Sequence, residues 1–451
     1  MASRSRRVEV AVVGAGSAGL AALGEIRKVT QSYVLIDDGP LGTMCARSGC
    51  MPSKALIQVA NRRPRPSVPE ALASVRKMRD SFMAGTVAET KRLGSRLIRG
   101  RAMFVGPTEL RVGKESVIAK RIVLATGSRP IVPVDMLECG ARVVTSENLF
   151  DLTDLPRRVG VVGLGPVGLE LGQALSRLGC EVVAFDKGGR VGPLTDPAVA
   201  ACAAALFAAE FEIRFHAEVR LKPLAKAVRI TSGRRSFVRE LVLASLGRRA
   251  NLESVGLEAI GVPLGKGGVP EYDPQTMKVR GRPIFLAGDA AARRPILHEA
   301  VDDGRVAGYN SVRREPRRFK RPTPLSIVFT DPNIALVGRT FASLEGGAFV
   351  VGEASFKTQA RAVIMGEAEG LLRLYAEPDG GKFLGSEMIC PGGEHLGHLL
   401  AWSLQQGLTV FEMLEMPFYH PTLEEGLRTG LRDAAVRCRR GKARASRSSD
   451  V

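Results

Sequence analysis

VEVAVVGAGSAGLAALGEI, residues 8 to 26, reads as strand, glycine turn and helix. Val8 to Val13 is an apolar run of strand length. Gly14 permits the tight turn, Gly16 lets a pyrophosphate approach the backbone, and Gly19 lets helix and strand pack closely. The helix N-terminus then offers free N–H groups and a positive dipole end to phosphates. A second strand, YVLID (33–37), ends in Asp37, about twenty residues past the turn, where a carboxylate accepts a ribose hydroxyl. The preceding strand and the later acid turn a weak glycine pattern into a specific one.

RRVGVVGLGPVGLELGQALSRLGCEVVAFDKGGR (157–190) repeats the whole arrangement. Gly163, Gly165 and Gly168 form its turn, and Asp186 ends its second strand. A carboxylate there repels a ribose 2′-phosphate and favours NAD over NADP. Lys187 and Arg190, close by, work against that preference. RIVLATGSRP (121–130) and LVLASLGRR (241–249) read as closing strands of the two halves, ending in small-residue turns at Thr126–Gly127 and Gly247. RPIFLAGDA (282–290) ends a further strand at Gly288 and Asp289, and an aspartate at that strand end can reach a second part of a bound flavin nucleotide. From about residue 322 the chain has shorter strands, starting at PLSIVFTDPNIALVG. A helical stretch, EHLGHLLAWSLQQGL (394–408), follows. This part carries no nucleotide fingerprint and reads as α+β.

The chain has 451 residues, 45% of them hydrophobic, which suits a globular protein of two or three domains. No apolar run is long enough to span a bilayer. MASRSRRVEVAVVGAGSAGL has basic residues before an apolar stretch, as a signal peptide does. Glycines interrupt that stretch and no small-residue cleavage site stands out, so it reads as a first strand. The formal charge is +19. It is clustered in SVRREPRRFKRP (311–322) and in a basic, Ser-rich end after about residue 437, which reads as disordered. Such clusters attract acidic partners. Phe319 is the one aromatic residue in the first cluster, too little interleaving to support a base-stacking surface, so nucleic acid is not the expected partner.

Seven cysteines are too few for a secreted disulfide framework, and the expected location is cytoplasmic. Cys45 and Cys50, in GTMCARSGCMPSK (42–54), are nonetheless close. Zinc needs four ligands, or three and a water, and no histidine or further cysteine lies within forty residues on either side. Metal binding is therefore set aside, and redox work remains. In a regular helix five residues separate the two Cα atoms by about 7.5 Å along the axis, beyond the roughly 7 Å a disulfide tolerates. A bond requires the backbone to break from a helix between them, and Gly49 makes that easy. Pro52 is tolerated near the start of a following helix. Of five histidines, His216, His298, His395 and His398 sit in no motif with an orienting charge. His398, four residues before Trp402, reads as a packing residue. In FYHPTLEEGL (418–427) a turn at Pro421 allows Glu425 to fold back on His420 as base and orienter.

CARSGCMPSK, the two glycine turns, LAGDA, FTDPNIALVG and HPTLEE, in that order, resemble the pyridine nucleotide–disulfide oxidoreductases (class I), and among them the dihydrolipoamide dehydrogenases. The resemblance implies an α/β chain of two Rossmann-like dinucleotide-binding domains and a C-terminal α+β dimerisation domain. The expected divisions are 1–147 for FAD, 148–250 for NAD, 251–321 completing the FAD domain, 322–437 for the dimer interface, and a tail at 438–451. It implies an FAD site at Gly14, Gly16, Gly19, Asp37, Lys54, Thr126, Gly127, Gly288 and Asp289. The NAD site would use Gly163, Gly165, Gly168, Asp186 and Gly247. Cys45 would exchange with substrate, and Cys50 would face the flavin and form the charge-transfer complex. Lys54 would sit beside the flavin ring, paired with Glu170. His420 and Glu425 would act across a homodimer, on the other subunit's cysteines. The substrate would be a lipoyl-bearing protein or a small disulfide. Glutathione-reductase-like, mercuric-reductase-like and redox-sensor flavoproteins share the machinery. Mercuric reductases carry a vicinal cysteine pair near the C-terminus, whereas Cys438 is alone. Glutathione reductases place arginines where Asp186 stands. The sequence also departs from the family. GTMC replaces GGTC, so Met44 stands for a threonine hydroxyl near the flavin. Arg47 stands where asparagine is common, and Tyr419 precedes the base in place of alanine.

Overall fold

The computed structural model describes residues 4–265 and 267–439. They fall into two compact units. One holds the chain up to Leu155 together with Leu243–Arg321, and the other holds Pro156–Val242 together with the chain from Pro322 on. The basic end expected to be disordered lies, from residue 440, outside the described residues.

In the first unit, strand β1 (Arg4–Val13), helix α1 (Ser17–Ile26) and strand β2 (Tyr33–Asp37) realise the opening motif. Val10 to Val13 are nearly or fully buried, as a parallel strand covered on both faces requires. β1 starts earlier than its apolar run because Arg4 to Arg7 pair in register with Glu115 to Ile118. Arg6 Nε, 3.0 Å from the Glu115 carboxylate, supplies a polar cross-strand contact there. The sheet order is Leu97–Arg99, β2, β1, Glu115–Leu124, Glu109–Val112, Ala102–Gly106. The Glu115–Leu124 strand forks. Its first half pairs antiparallel with Glu109–Val112, and its last part pairs parallel with Ile284–Leu286. The turns that follow β1, β2, Leu124 and Leu286 therefore gather at one end of the sheet, the carboxyl end where such sheets bind nucleotides.

α1 lies against the helix Leu297–Ser311 at very short range. A Cβ on Gly304 would stand 2.2 Å from Ala18 O, and one on Gly308 2.3 Å from Ala22 O. Two glycines four apart face two alanines four apart, and this brings the backbones together. Helix α2 (Met44–Ser48), helix α3 (Cys50–Ala60) and helix α4 (Val68–Lys91) follow β2. α4 opens with a capping box of Ser67 and Glu70. Several arginines of the basic stretch have partners within this unit. Arg313 stacks on Tyr309, Arg317 lies over Phe319, Arg318 pairs with Asp273 and Arg321 with buried Asp303. Arg314 and Lys320 face solvent.

The second unit begins with a parallel sheet, Glu212–Arg214, Glu181–Phe185 and Arg158–Val162, with the helix Pro166–Arg177 after the glycine turn. Its other part is a five-stranded antiparallel sheet, ordered Leu325–Val328, Asn333–Gly338, Phe383–Cys390, Leu371–Ala376, Val350–Ser355. Helices Gly393–Gln405 and Glu425–Arg437 cover it. The two parts are joined by a buried polar network. Glu387, fully buried, accepts from Thr195 N at 2.6 Å, Asp196 N at 2.9 Å and Phe341 N at 2.9 Å. Asp196, also fully buried, caps the helix Pro197–Ala208 and accepts from Arg373 and Tyr375 Oη, both at 2.9 Å. Satisfied on every side, such carboxylates fix one arrangement, because any other leaves a charge unpaired.

Candidate active site

The cysteine turn is built by two breaks in the helix. Thr43 adopts φ 55°, ψ 150° and caps α2 through Oγ1, which accepts from Ala46 N at 3.3 Å. That conformation favours glycine, and Thr43 occupies the second-glycine place of the GGTC pattern. Gly49, at φ −114° and ψ −122°, then separates α2 from α3. A Cβ on Gly49 would lie 3.1 Å from Cys45 Cα and from Met44 O, so glycine lets the chain fold back on the first cysteine. The departure from a regular helix that the spacing demands is thus present, at Gly49. Both cysteines are half-buried. The hydrogen bond that the Cys45 thiol makes to the neighbouring Cys50, with burial added, pushes the Cys45 thiol far above the usual range. Lys54 lies one helical turn after Cys50 on α3, on the same face.

At the carboxyl end of the first sheet a groove of about 460 Å³ is lined by Gly14, Asp37, Arg101, Thr126 and Asn251, among others. A Cβ on Gly14 would stand 2.2 Å from Ala125 O, and one on Gly19 1.9 Å from Gly14 O, so both glycines are required by close approach. Nothing lies within 4 Å of a Cβ on Gly16, which leaves that side open to a ligand. The Asp37 carboxylate is fixed at the groove by Ala15 N at 2.7 Å, Gly39 N at 3.1 Å and Arg99 Nη1 at 3.1 Å. Thr126 Oγ1 is buried without a hydrogen-bond partner. An orphaned hydroxyl, a held carboxylate and an uncovered turn fit the adenosine and pyrophosphate of FAD. Gly127, at φ 70°, accepts from Asn251 N at 3.0 Å. Gly288, at φ 65°, opens the turn that carries Asp289, and Ser128 Oγ donates to Asp289 Oδ2 at 2.6 Å. Arg99, Ser128, Asn251 and Arg248 belong to this site and escape a sequence reading, since each reaches its partner across 60 or more residues.

The second unit repeats the carboxylate contact. Asp186 Oδ2 accepts from Leu164 N at 2.9 Å and Oδ1 from Gly188 N at 2.7 Å. Gly163 is at φ 94°, Gly168 is buried in the following helix, and a Cβ on Gly165 would meet nothing within 4 Å. Lys187 is drawn to Glu218, at 2.5 Å, and Arg190 is exposed. Gly247 follows the return of the chain to the first unit. Glu170, two residues after Gly168, is buried and accepts from Phe329 N at 2.9 Å. It belongs to the second unit and Lys54 to the first.

His420 and Glu425 come together, with Nδ1 3.0 Å from Oε2 and 3.2 Å from Oε1. Thr422 N also donates to Glu425 Oε2, at 3.3 Å. The hydrogen bond from His420 holds the Glu425 carboxyl below the usual carboxylate range. With Nδ1–H committed to Glu425, Nε2 is the acceptor, and the imidazole is 73% exposed. Tyr419 is more exposed still, at 82%. His398 corrects an expectation. It is exposed rather than packed in a core, with Nδ1 2.7 Å from Glu394 O and its ring edge-on to Trp402 at 6.3 Å.

Residues 8–304 match the family model described as pyridine nucleotide-disulphide oxidoreductase, and residues 325–430 match that family's dimerisation domain. A dihydrolipoyl dehydrogenase of Bacillus subtilis is 29% identical, over 94% of this chain and 97% of its own. One from Thermus scotoductus is 28% identical over 93% and 95%. Among solved structures, the HOCl-induced flavoprotein disulfide reductase RclA from Escherichia coli superposes with a TM-score of 0.85 at 20% identity, covering 94% of this chain and 99% of its own. At that identity the likeness speaks for the fold.

Proposed function

The chain belongs to the pyridine nucleotide-disulphide oxidoreductases, and on that premise we propose that it oxidises dihydrolipoyl groups with NAD+ through Cys45 and Cys50. The family's cofactors are FAD and NAD(H). The observation that carries the proposal is the fold-back at Gly49, which sets the two thiols beside one another in one turn. The dihydrolipoyl dehydrogenases that match nearly the whole chain support the choice of substrate.

In the oxidised enzyme the two cysteines form a disulfide. A substrate thiol gives its proton to His420 Nε2, and the thiolate attacks the Cys45 sulfur. The Cys45–Cys50 bond breaks and Cys50 leaves as thiolate. The imidazole passes the first proton to Cys45 as it leaves and takes the proton of the second substrate thiol, whose sulfur attacks the mixed disulfide and releases lipoyl disulfide; the second proton then goes from the imidazole to solvent. Two electrons and two protons have left the substrate. Glu425 holds the imidazole tautomer and stabilises its cation while the proton is resident. Gly14, Gly16, Gly19, Asp37, Thr126 and Asp289 would hold FAD in the first unit, and Gly163, Gly165, Gly168 and Asp186 would hold NAD in the second. When bound, FAD accepts the electron pair from the cysteines and passes it to NAD+. Lys54 would stand beside the flavin, and the family's ion pair with Glu170 is part of the proposal. The chain carries the family's dimerisation domain. We propose a homodimer in which the partner subunit's His420 serves the cysteines of the first. A lipoyl-bearing protein is the proposed partner and the cytoplasm the proposed compartment, in keeping with few cysteines. The exposed Arg314, Arg317, Arg318 and Lys320 are the part of the basic stretch that could meet an acidic partner.

The test is turnover. Purified flavoprotein with dihydrolipoamide and NAD+ is expected to produce NADH, and Cys45→Ser and Cys50→Ser to stop it. A flavoprotein that binds FAD yet leaves dihydrolipoamide unoxidised, while reducing glutathione disulfide or Hg(II) with NADPH, would replace this substrate with that one.

A further inference from the structure

Met44 departs from the family pattern, and its sulfur has a partner. Arg248 Nη2 donates to Met44 Sδ at 2.8 Å. The same nitrogen lies 2.7 Å from Ser128 O and 2.9 Å from Glu147 Oε1, so two protons serve three acceptors. Arg248 Nε donates to Ser128 Oγ at 2.7 Å, and that hydroxyl donates to Asp289 Oδ2 at 2.6 Å. Nε itself stands 4.0 Å from the same carboxylate oxygen. The guanidinium is four-fifths buried, and its planar fork can hold several acceptors in fixed directions, which an ammonium cannot. All five residues lie in the first unit. Arg248 thus touches the residue before Cys45 on one side and, through Ser128, orients Asp289 on the other.

We propose that Arg248 is a positioning residue that ties the cysteine turn, through Met44, to the flavin-side carboxylate Asp289, through Ser128. The proposal rests on the flavoprotein reading given above. A threonine at position 44, as in the family pattern, is too short to make the same contact. Asp289, directed by a hydroxyl that is itself held by a cation, keeps one orientation toward the flavin. Met44, held by the same cation, keeps the backbone of Cys45 in register with it.

The test starts with wild-type protein and FAD alone. Failure of the wild type to bind FAD would sink the flavoprotein reading before the link is examined. With binding established, Arg248→Met is expected to weaken FAD affinity about tenfold, the worth of one charge-assisted hydrogen bond. It is also expected to lower the long-wavelength thiolate–flavin absorbance of the NADH-reduced enzyme. Met44→Leu should lower that absorbance and leave FAD affinity within about twofold, since a lost thioether acceptor is weak. The double variant should match Arg248→Met alone, because the two residues form one contact. If Arg248→Met does not accumulate, Ser128→Ala removes only a hydroxyl and should still weaken FAD binding several-fold. A lowered melting temperature with FAD affinity and absorbance both as in wild type, in whichever variant is obtained, would make Arg248 merely structural and overturn the proposal.

Discussion

Thr43 offers a test in which the usual order of two substitutions reverses. Its backbone, at φ 55° and ψ 150°, lies where essentially only glycine is at ease. A non-glycine residue there stores about 1–3 kcal/mol. Thr43→Gly releases that strain, loses about 0.5–1 kcal/mol to backbone entropy, and loses a few tenths as a cap. Thr43→Ala keeps the strain and loses the cap to Ala46 N, at a cost of about 1 kcal/mol. The glycine variant is therefore expected to be the more stable by about 2 kcal/mol, although glycine is ordinarily the worse residue. The assay is the urea midpoint followed by flavin fluorescence, which reports on the unit holding the turn. An alanine variant as stable as the glycine variant, or more so, would refute the strain argument. It would also remove the reason for reading GTMC as a strained form of GGTC.

The remaining expectations concern cofactor choice, the base and the helix contact. Asp186→Ala should erode a clear preference for NAD over NADP, since Lys187 and Arg190 lie beside it; a wild-type enzyme more efficient with NADPH contradicts this. His420→Gln should lower kcat about a hundred- to ten-thousand-fold, with Glu425→Gln losing less, and mixing inactive His420→Gln and Cys50→Ser subunits should restore activity. No recovery on mixing excludes a site shared across a homodimer. Gly308→Ala should destabilise by about 1–3 kcal/mol or more, because the new methyl meets Ala22 O at 2.3 Å. Gly24→Ala, on α1 with nothing within 4 Å, should stabilise by about 0.5–1 kcal/mol; equal signs for the two changes in a melting experiment would contradict the packing account.

What could be read from the sequence is local. Each glycine turn, its strand and its closing aspartate lie within thirty residues, so pattern and chemistry coincide. The break at Gly49 follows from helix rise and disulfide reach alone, and the fold-back of Glu425 on His420 needs only a turn at Pro421. What escaped is made by distant segments. Nothing near Met44 announces Arg248, 204 residues on, and nothing near Asp196 announces Tyr375, 179 residues on. The small residues Ala18, Ala22, Gly304 and Gly308 are visible, but their meaning depends on two helices meeting. The apolar run alone starts β1 at Val8, because Arg4 to Arg7 are polar and extend the strand through pairing with Glu115 to Ile118. The charge of 311–322 is largely a solvated face, as its composition suggests, but the partners of its arginines, Tyr309, Asp273 and Asp303, are not announced by the sequence.

The measurement that bears most directly on the central claim is anaerobic reduction of the holoenzyme and its two serine variants, with turnover followed in parallel. Wild-type protein should oxidise dihydrolipoamide with NAD+ and show long-wavelength absorbance at the two-electron level. Cys45→Ser should keep the Cys50 thiolate and that absorbance but lose turnover. Cys50→Ser should lose both. Turnover of dihydrolipoamide by either serine variant at the wild-type rate would contradict catalysis through the Cys45–Cys50 pair.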